Sequence, residues 1–259
     1  EKIVLVSDFD PFEEIWKDRP ALPKNPFTLL PVEFAGEPAH QKIERVLADA
    51  GKNGADSAWI STLDTIAWLF NIRGRDVPYN PVVVSHAFVS RNEKILFVDT
   101  DKVTMTIADI LQKEGVKVVD YEQVSGFLAE MCNQSVCLDS NRLSYRVYNA
   151  IAERNWIVDV LSVADMLKSM KNEVEANGFR HVMVRDGVAL TKFFMWLEKA
   201  VPGGAVTEYN VGLKLKEFRS VQANFAGESF STIAGYAANG AINHYHPNAE
   251  TCLNVKPEG

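Results

Sequence analysis

Two of the five histidines in this chain, His244 and His246, lie two positions apart. If residues 242–246 are extended, both imidazoles point to the same face, as alternate side chains do in a strand. Such a pair can bind a transition metal, or one imidazole can work in catalysis while the other is exposed. The spacing therefore leaves both kinds of chemistry open. The remaining histidines stand alone and are interpreted as surface or hydrogen-bonded side chains: His40, His86 and His181.

Carboxylates limit the metal chemistry that the second half of the chain can support. No aspartate follows Asp186. Glu198, Glu208 and Glu217 fall in helical patterns, and a solvated helix face is the simplest interpretation of all three. A carboxylate-bridged metal pair needs several acids that converge on one cavity. The second half of the chain is therefore not expected to supply the ligands of such a metal pair.

Motifs for nucleophilic catalysis and for phosphate binding are missing. The chain contains no GxSxG, no GxxxxGK[ST] and no GxGxxG. Gly203-Gly204 has no downstream Lys-Ser or Lys-Thr, so it predicts a turn between two helices. Arg73 and Arg75 could bind an anion, but a solvated turn is the simpler interpretation.

Composition excludes several classes of protein. The 259 residues carry 27 Lys and Arg against 34 Asp and Glu, a net charge of −7. Nucleic acid is therefore not expected as a main partner, because phosphate-binding domains present a basic surface. No apolar run approaches the roughly 18 residues of a membrane span. The chain has three cysteines and no CxxC spacing, which predicts reduced thiols in a cytoplasmic protein. They are Cys132, Cys137 and Cys252.

The distribution of elements predicts a chain in three parts. Residues 1–36 are rich in proline after a short apolar start and read as an extended connector. Residues 37–168 alternate helices with short apolar strands, including a hairpin, which indicates an α/β layered domain with a mixed sheet. Residues 169–259 are mainly helical, with helices expected at 184–200 and 207–221, and become loop-like after Ala223.

Three segments carry a resemblance to one protein family. Residues 63–82, LDTIAWLFNIRGRDVPYNPV, closely resemble the LDxIAWLxNLRGxDxxxNPV stretch of the three-domain Xaa-Pro aminopeptidases (aminopeptidase P). Residues 185–190, RDGVAL, with the helical sequence after them, are similar to the opening helices of that family's catalytic domain. Residues 230–245 resemble its SFxTI…NGAIIHY loop, and the connector with Trp16 and Pro20 also fits.

The resemblance implies a fold and an activity. It implies a layered domain like the creatinase N-terminal domain, followed by the start of a pita-bread catalytic domain. The activity would be release of the N-terminal residue from peptides with proline at the second position, with two Mn²⁺ ions activating a bridging water. His244 matches the family histidine beside the scissile bond, which implies catalytic and substrate-binding roles. Tyr245 and His246 are its neighbours and are expected as further substrate-binding residues, although His246 and Asn243 depart from the family pattern.

The resemblance also implies that the five metal ligands of the family begin after this chain stops. The chain is therefore expected to comprise the middle domain and the first third of the catalytic domain, to hold no metal pair and to cleave nothing by itself. Expected partners are peptides with N-terminal Xaa-Pro and a second copy in a homodimer. The alternatives are a prolidase-type Xaa-Pro dipeptidase and a non-catalytic binding module on the same fold.

The helical part carries apolar side chains that need a sheet to cover them. We therefore expect a well-packed middle domain, and a large exposed apolar area or a contact with another chain at the helices. The side chains concerned are Phe193, Phe194, Trp196, Leu197, Leu213 and Phe218.

Overall fold

The computed structural model describes residues 9–258, so the first eight residues of the predicted connector lie outside the described part. The chain separates into two compact units, of which the first ends at Asn172 and the second begins at Glu173. The domain division expected between residues 168 and 169 stays a prediction.

The first unit contains a six-stranded mixed sheet and a small two-stranded sheet. The strands are β1 (Thr28–Leu29), β2 (Ser57–Ile60), β3 (Ile72–Arg73), β4 (Ser85–Ser90), β5 (Lys94–Val98), β6 (Lys117–Val119), β7 (Ser135–Leu138) and β8 (Trp156–Asp159). The large sheet has the order β6-β5-β4-β2-β7-β8. Strand β4 pairs antiparallel with β2 and β5, whereas the other three pairings are parallel. The predicted hairpin and mixed sheet are therefore confirmed.

Helices cover both faces of this sheet. They are α1 (Val32–Ala35), α2 (Ala39–Lys52), α3 (Leu63–Leu69), α4 (Met105–Lys113), α5 (Val124–Glu130), α6 (Tyr145–Ala152) and α7 (Val163–Ser169). Along β4, Ala87 and Val89 belong to a core shared with α2, α3, α4 and α7, while Phe88 belongs to a second core shared with α5 and α6. This alternation follows the two-residue period of a strand and produces the predicted α/β layers.

The segment that resembles the family stretch uses its polar residues to hold its own backbone. Asn71 follows α3 with a φ of 54°, and its side-chain amide donates to the carbonyl of Glu37. The buried Lys42 ammonium donates to the carbonyl of Trp68 at 2.9 Å and to Oδ1 of Asn71 at 2.6 Å. Strand β3 then pairs with β1 and ties the end of the connector to the sheet domain.

A buried ion pair stabilises the second half of the same segment. The Lys102 ammonium lies 2.7 Å from Oδ2 of Asp76, and the two side chains are 1% and 0% exposed. The same oxygen accepts a hydrogen bond from the Val84 amide at 2.7 Å, at the approach to β4. Asp76 therefore fixes the turn that leads into the sheet.

The second unit is built on two helices, α8 (Glu173–Ala200) and α9 (Glu208–Ser220). Helix α8 begins 11 residues before the predicted start at 184, and the turn expected at the glycine pair is confirmed, with Gly204 at a φ of 74°. Asp186 and Arg219 join the helices through two hydrogen bonds of 2.7 and 3.3 Å.

The exposure of the apolar side chains on these helices agrees in part with expectation. Phe194 and Leu213 are more than half exposed, which confirms the prediction at these two positions. Phe193 is 5% exposed, and there the prediction of exposure is wrong, because its ring packs beside Trp196 in the unit's own small core.

Within residues 9–258, no helix is both long and apolar enough to cross a bilayer.

The buried ion pair gives a stability prediction for the first unit. Replacing Lys102→Met leaves the Asp76 carboxylate buried without its cation, and we expect the free energy of unfolding to fall by about 3–5 kcal/mol. The matched control is Lys24→Met, since Lys24 pairs with Asp101 at 3.0 Å on the surface, and no resolved loss is expected there. Denaturant unfolding measures both variants. Equal losses in the two would contradict a special role for the buried pair.

Candidate functional site

The start of α9 positions a glutamate inside the second unit. Thr207 caps the helix, because its hydroxyl accepts from the Asn210 amide and the Asn210 side chain accepts from the Thr207 amide. The backbone of Glu208 donates to the carbonyl of Leu253, and Val255 donates to the carbonyl of Val206. Glu208 is thus fixed at the first turn, where the helix dipole favours a negative charge.

The Glu208 carboxylate is buried and accepts hydrogen bonds from four groups of one loop. Oε1 accepts from the Tyr236 amide at 2.5 Å, and Oε2 accepts from the Leu253 amide at 2.7 Å. The Tyr245 hydroxyl donates to Oε2 at 2.6 Å, and the Asn239 side-chain amide donates to both oxygens at 3.2 and 3.0 Å. The expectation that Glu208 lies on a solvated helix face is therefore wrong, since the side chain is 0% exposed.

These contacts determine how the carboxylate and the phenol titrate. Burial alone would raise the pKa of Glu208, but the Leu253 and Tyr236 amides, the Tyr245 hydroxyl and the Asn239 amide outweigh it and lower that pKa to about 2. The hydrogen bond to Glu208, with burial as the next cause, raises the pKa of Tyr245 to about 12. At neutral pH the pair is therefore a carboxylate anion and a neutral phenol.

His244 lies in a turn beside this cluster. The Tyr245 amide donates to the Ile242 carbonyl at 3.3 Å, and within this turn His244 has a φ of 57°. Its side chain is exposed. Residues 242–246 are not extended, because the chain reverses here, so the alternation of a strand does not place the two imidazoles on one face. The turn presents the His244 imidazole to solvent.

The other candidate residues of this loop have different environments. Tyr245 is half-buried and bonded to Glu208, whereas Asn243 and His246 are exposed. Among residues 9–258, no three His, Cys, Asp or Glu side chains come together in a way that could hold a metal ion. The described residues therefore do not fit a two-metal centre, and we place no metal on them.

The isolated histidines take part in hydrogen bonds of the first unit or lie on the surface. His86 Nδ1 is 3.0 Å from the Ser61 hydroxyl, and burial lowers the pKa of His86. His40 Nδ1 lies 2.6 Å from a Glu114 oxygen, and His181 is exposed on α8. These environments fit structural or surface roles.

Glu208 is the residue that sequence reasoning missed. The Thr207-Glu208 pair indicates the start of a helix, which the structure confirms. The sequence contained one local signal, the helix-capping Thr207 followed by the acidic Glu208. Its partners Asn239 and Tyr245 lie 31 and 37 positions later, in the family-like loop, and their spacing does not show that they contact the Glu208 carboxylate.

Comparison with protein families divides the chain at nearly the same place as the structure does. Residues 18–175 match the Creatinase/Prolidase N-terminal domain. Residues 177–258 match Metallopeptidase family M24.

Similar proteins are named as aminopeptidases. A probable Xaa-Pro aminopeptidase P of Arthroderma gypseum is 39% identical over 258 residues, which cover 95% of this chain and 40% of that protein. A protein of the same name from Laccaria bicolor is 36% identical over 252 residues, covering 94% and 39%. The chain thus spans about two-fifths of the length of these relatives.

Two solved structures agree with the fold. X-prolyl aminopeptidase from Caenorhabditis elegans, a cytosolic enzyme with a di-nuclear active site, superposes with a TM-score of 0.84 at 31% identity, covering 92% of this chain and 40% of its own. Xaa-Pro dipeptidase from Bacillus anthracis has a TM-score of 0.50 at 16% identity, with 70% and 49% covered, which is a likeness of fold alone. The chain belongs to the creatinase/prolidase N-terminal domain family, and it continues into sequence of metallopeptidase family M24.

Proposed function

We propose that this chain is part of an Xaa-Pro aminopeptidase, an enzyme that releases the N-terminal residue from peptides with proline at the second position. The observation that carries the proposal is the likeness to the C. elegans enzyme, at a TM-score of 0.84 over 92% of this chain. The aminopeptidase P relatives support it with 36–39% identity over nearly the whole chain. Peptides with N-terminal Xaa-Pro are the proposed substrates.

His244 is the residue that we place in the reaction. Its imidazole projects from an exposed turn, where it can donate a hydrogen bond to the oxygen on which negative charge develops during attack on the Xaa-Pro carbonyl. It would also contact the bound peptide. Tyr245 and His246 are proposed as neighbouring substrate contacts. Tyr245 would contact the peptide only through its ring, since its hydroxyl donates a hydrogen bond to Glu208.

The cofactor proposed for the complete enzyme is a pair of Mn²⁺ ions. Its support is the family match and the di-nuclear active site of the C. elegans relative. No step that we assign to the described residues passes through a metal, and the expectation that the 259-residue chain is inactive by itself stays a prediction.

A homodimer and a cytoplasmic location complete the proposal. Exposed apolar side chains on α8, such as Phe179, Met183 and Phe194, support contact with further protein. The free cysteines and the cytosolic location of the C. elegans relative support the cytoplasm. Sedimentation of the complete gene product measures the oligomeric state, and a monomer would contradict the dimer.

The proposal predicts both the substrate and the effect of one substitution. With Mn²⁺ added, the complete gene product should release the first residue of Xaa-Pro-Yaa tripeptides, and His244→Ala should lower kcat by about 100-fold. His181→Ala, an exposed histidine of α8, is the matched control and should keep kcat unchanged. Liquid chromatography of the released amino acid measures the rate.

The same assay, together with a titration of the complete gene product with Mn²⁺, separates the alternatives. Cleavage of Xaa-Pro dipeptides without cleavage of tripeptides would identify a dipeptidase. Absence of both turnover and Mn²⁺ binding in the complete gene product would identify a non-catalytic binding module. Equal rates for the His244→Ala and His181→Ala variants would contradict the role of His244.

A further inference from the structure

We propose that Glu208 is the positioning residue for His244. Its carboxylate binds Asn239, which precedes His244 in the chain, and Tyr245, which follows it, and these two contacts hold the turn that carries His244. This inference rests on the proposed function of His244. Nothing in the likeness to known proteins assigns a role to this glutamate. It follows from the hydrogen bonds, the burial and the backbone conformation of the second unit.

The carboxylate closes a long loop onto one rigid point. Its four donors come from positions 236, 239, 245 and 253, while Glu208 itself is fixed by the capped start of α9. A loop of this length loses much conformational entropy when it is ordered, so the contacts that hold it must be strong. Hydrogen bonds to a buried anion are among the stronger ones in proteins.

The turn at His244 needs such support from its surroundings. A residue other than glycine with a φ of 57° is strained, because its Cβ lies too close to the following carbonyl oxygen. Within the described residues, the His244 imidazole has no hydrogen-bond partner that could fix it. The position of His244 must therefore come from the backbone, and Tyr245 is the adjacent residue whose side chain reaches a fixed group.

The geometry also shows why an anion is needed. All four groups that face the carboxylate are donors, and two of them are backbone amides that cannot reverse. A glutamine at this position would have the same shape but would turn one NH₂ group towards donors. Glu208→Gln therefore removes the positioning interaction with the smallest change in volume, and Tyr245→Phe removes one of its contacts.

Acid titration tests whether the anion holds the loop. The pKa of Glu208 is about 2 in the folded chain against 4.5 for a free glutamate. Its contribution to stability is therefore complete above about pH 4.5 and is lost as the pH falls towards 2. The Tyr245 phenol, which donates to the Glu208 carboxylate, stays neutral throughout this range.

We expect the backbone NMR signals of residues 236–253 to lose their folded positions over this pH range in the 259-residue chain. In Glu208→Gln they should be displaced already at pH 7. Glu198→Gln, an exposed glutamate of α8, is the control and should behave as the unmodified chain does. Loop signals that are unchanged at pH 7 in Glu208→Gln would overturn the proposal.

A double-mutant cycle in the complete gene product tests whether Glu208 acts through His244. We expect Glu208→Gln to lower kcat by about tenfold or more, with KM within about threefold, and Tyr245→Phe to have a smaller effect in the same direction. In a His244→Ala background the loss from Glu208→Gln should disappear, because the group it positions is gone. A purely structural role would lower kcat by the same factor in both backgrounds, and that result would overturn the proposal.

The two arms separate this inference from the proposed function. If the complete gene product cleaves no Xaa-Pro peptide, the proposed function fails, while the NMR arm still decides whether Glu208 holds the turn. If Glu208→Gln does not fold, Tyr245→Phe takes its place in both arms, since it removes one hydroxyl and keeps the anion. An unchanged His244 backbone signal and unchanged kcat in Tyr245→Phe would then contradict the proposal.

Discussion

The second unit of this protein depends on one buried negative charge. A carboxylate without partners would be expelled from the interior or protonated, because burial of an isolated ion costs more than the fold can supply. The Glu208 carboxylate stays buried and charged because it lies at the N-terminus of α9 and because four groups of one loop donate hydrogen bonds to it. The loop in turn has little regular structure of its own beyond a short 3₁₀ turn at Ala237–Ala241. The charge and the loop therefore order each other.

The first unit also contains a buried carboxylate, but a different kind of group neutralises its charge. Asp76 is also a buried carboxylate, but its main partner is a buried ammonium, that of Lys102, with one backbone amide in addition. An ion pair of this kind fixes a turn between elements that a large hydrophobic core already holds in place. In the second unit the core is small, and the anion has to organise a loop. The two arrangements fit a scaffold in one unit and the presentation of a candidate catalytic side chain in the other.

The sequence predicted those features of the fold that depend on local periodicity. The hairpin of β4 and β5, the mixed sheet and the turn at Gly204 follow from alternation and from turn residues, and all three are present. Glu208 was misjudged because its burial depends on residues 28–45 positions away, which no local pattern contains. The conformation of His244 was left open for a related reason, since a strained positive φ outside glycine depends on the surrounding structure that holds it.

Amide hydrogen exchange at Tyr236 and Leu253 tests the central role of the carboxylate most directly. Both residues lie in loop sequence, yet each donates its amide hydrogen to Glu208. We predict that these two amides exchange far more slowly than those of the exposed neighbours Asn248 and Ala249, in the unmodified chain at neutral pH. Exchange of Tyr236 and Leu253 at the rate of these neighbours would contradict the account, because the anion would then not be holding the loop that presents His244.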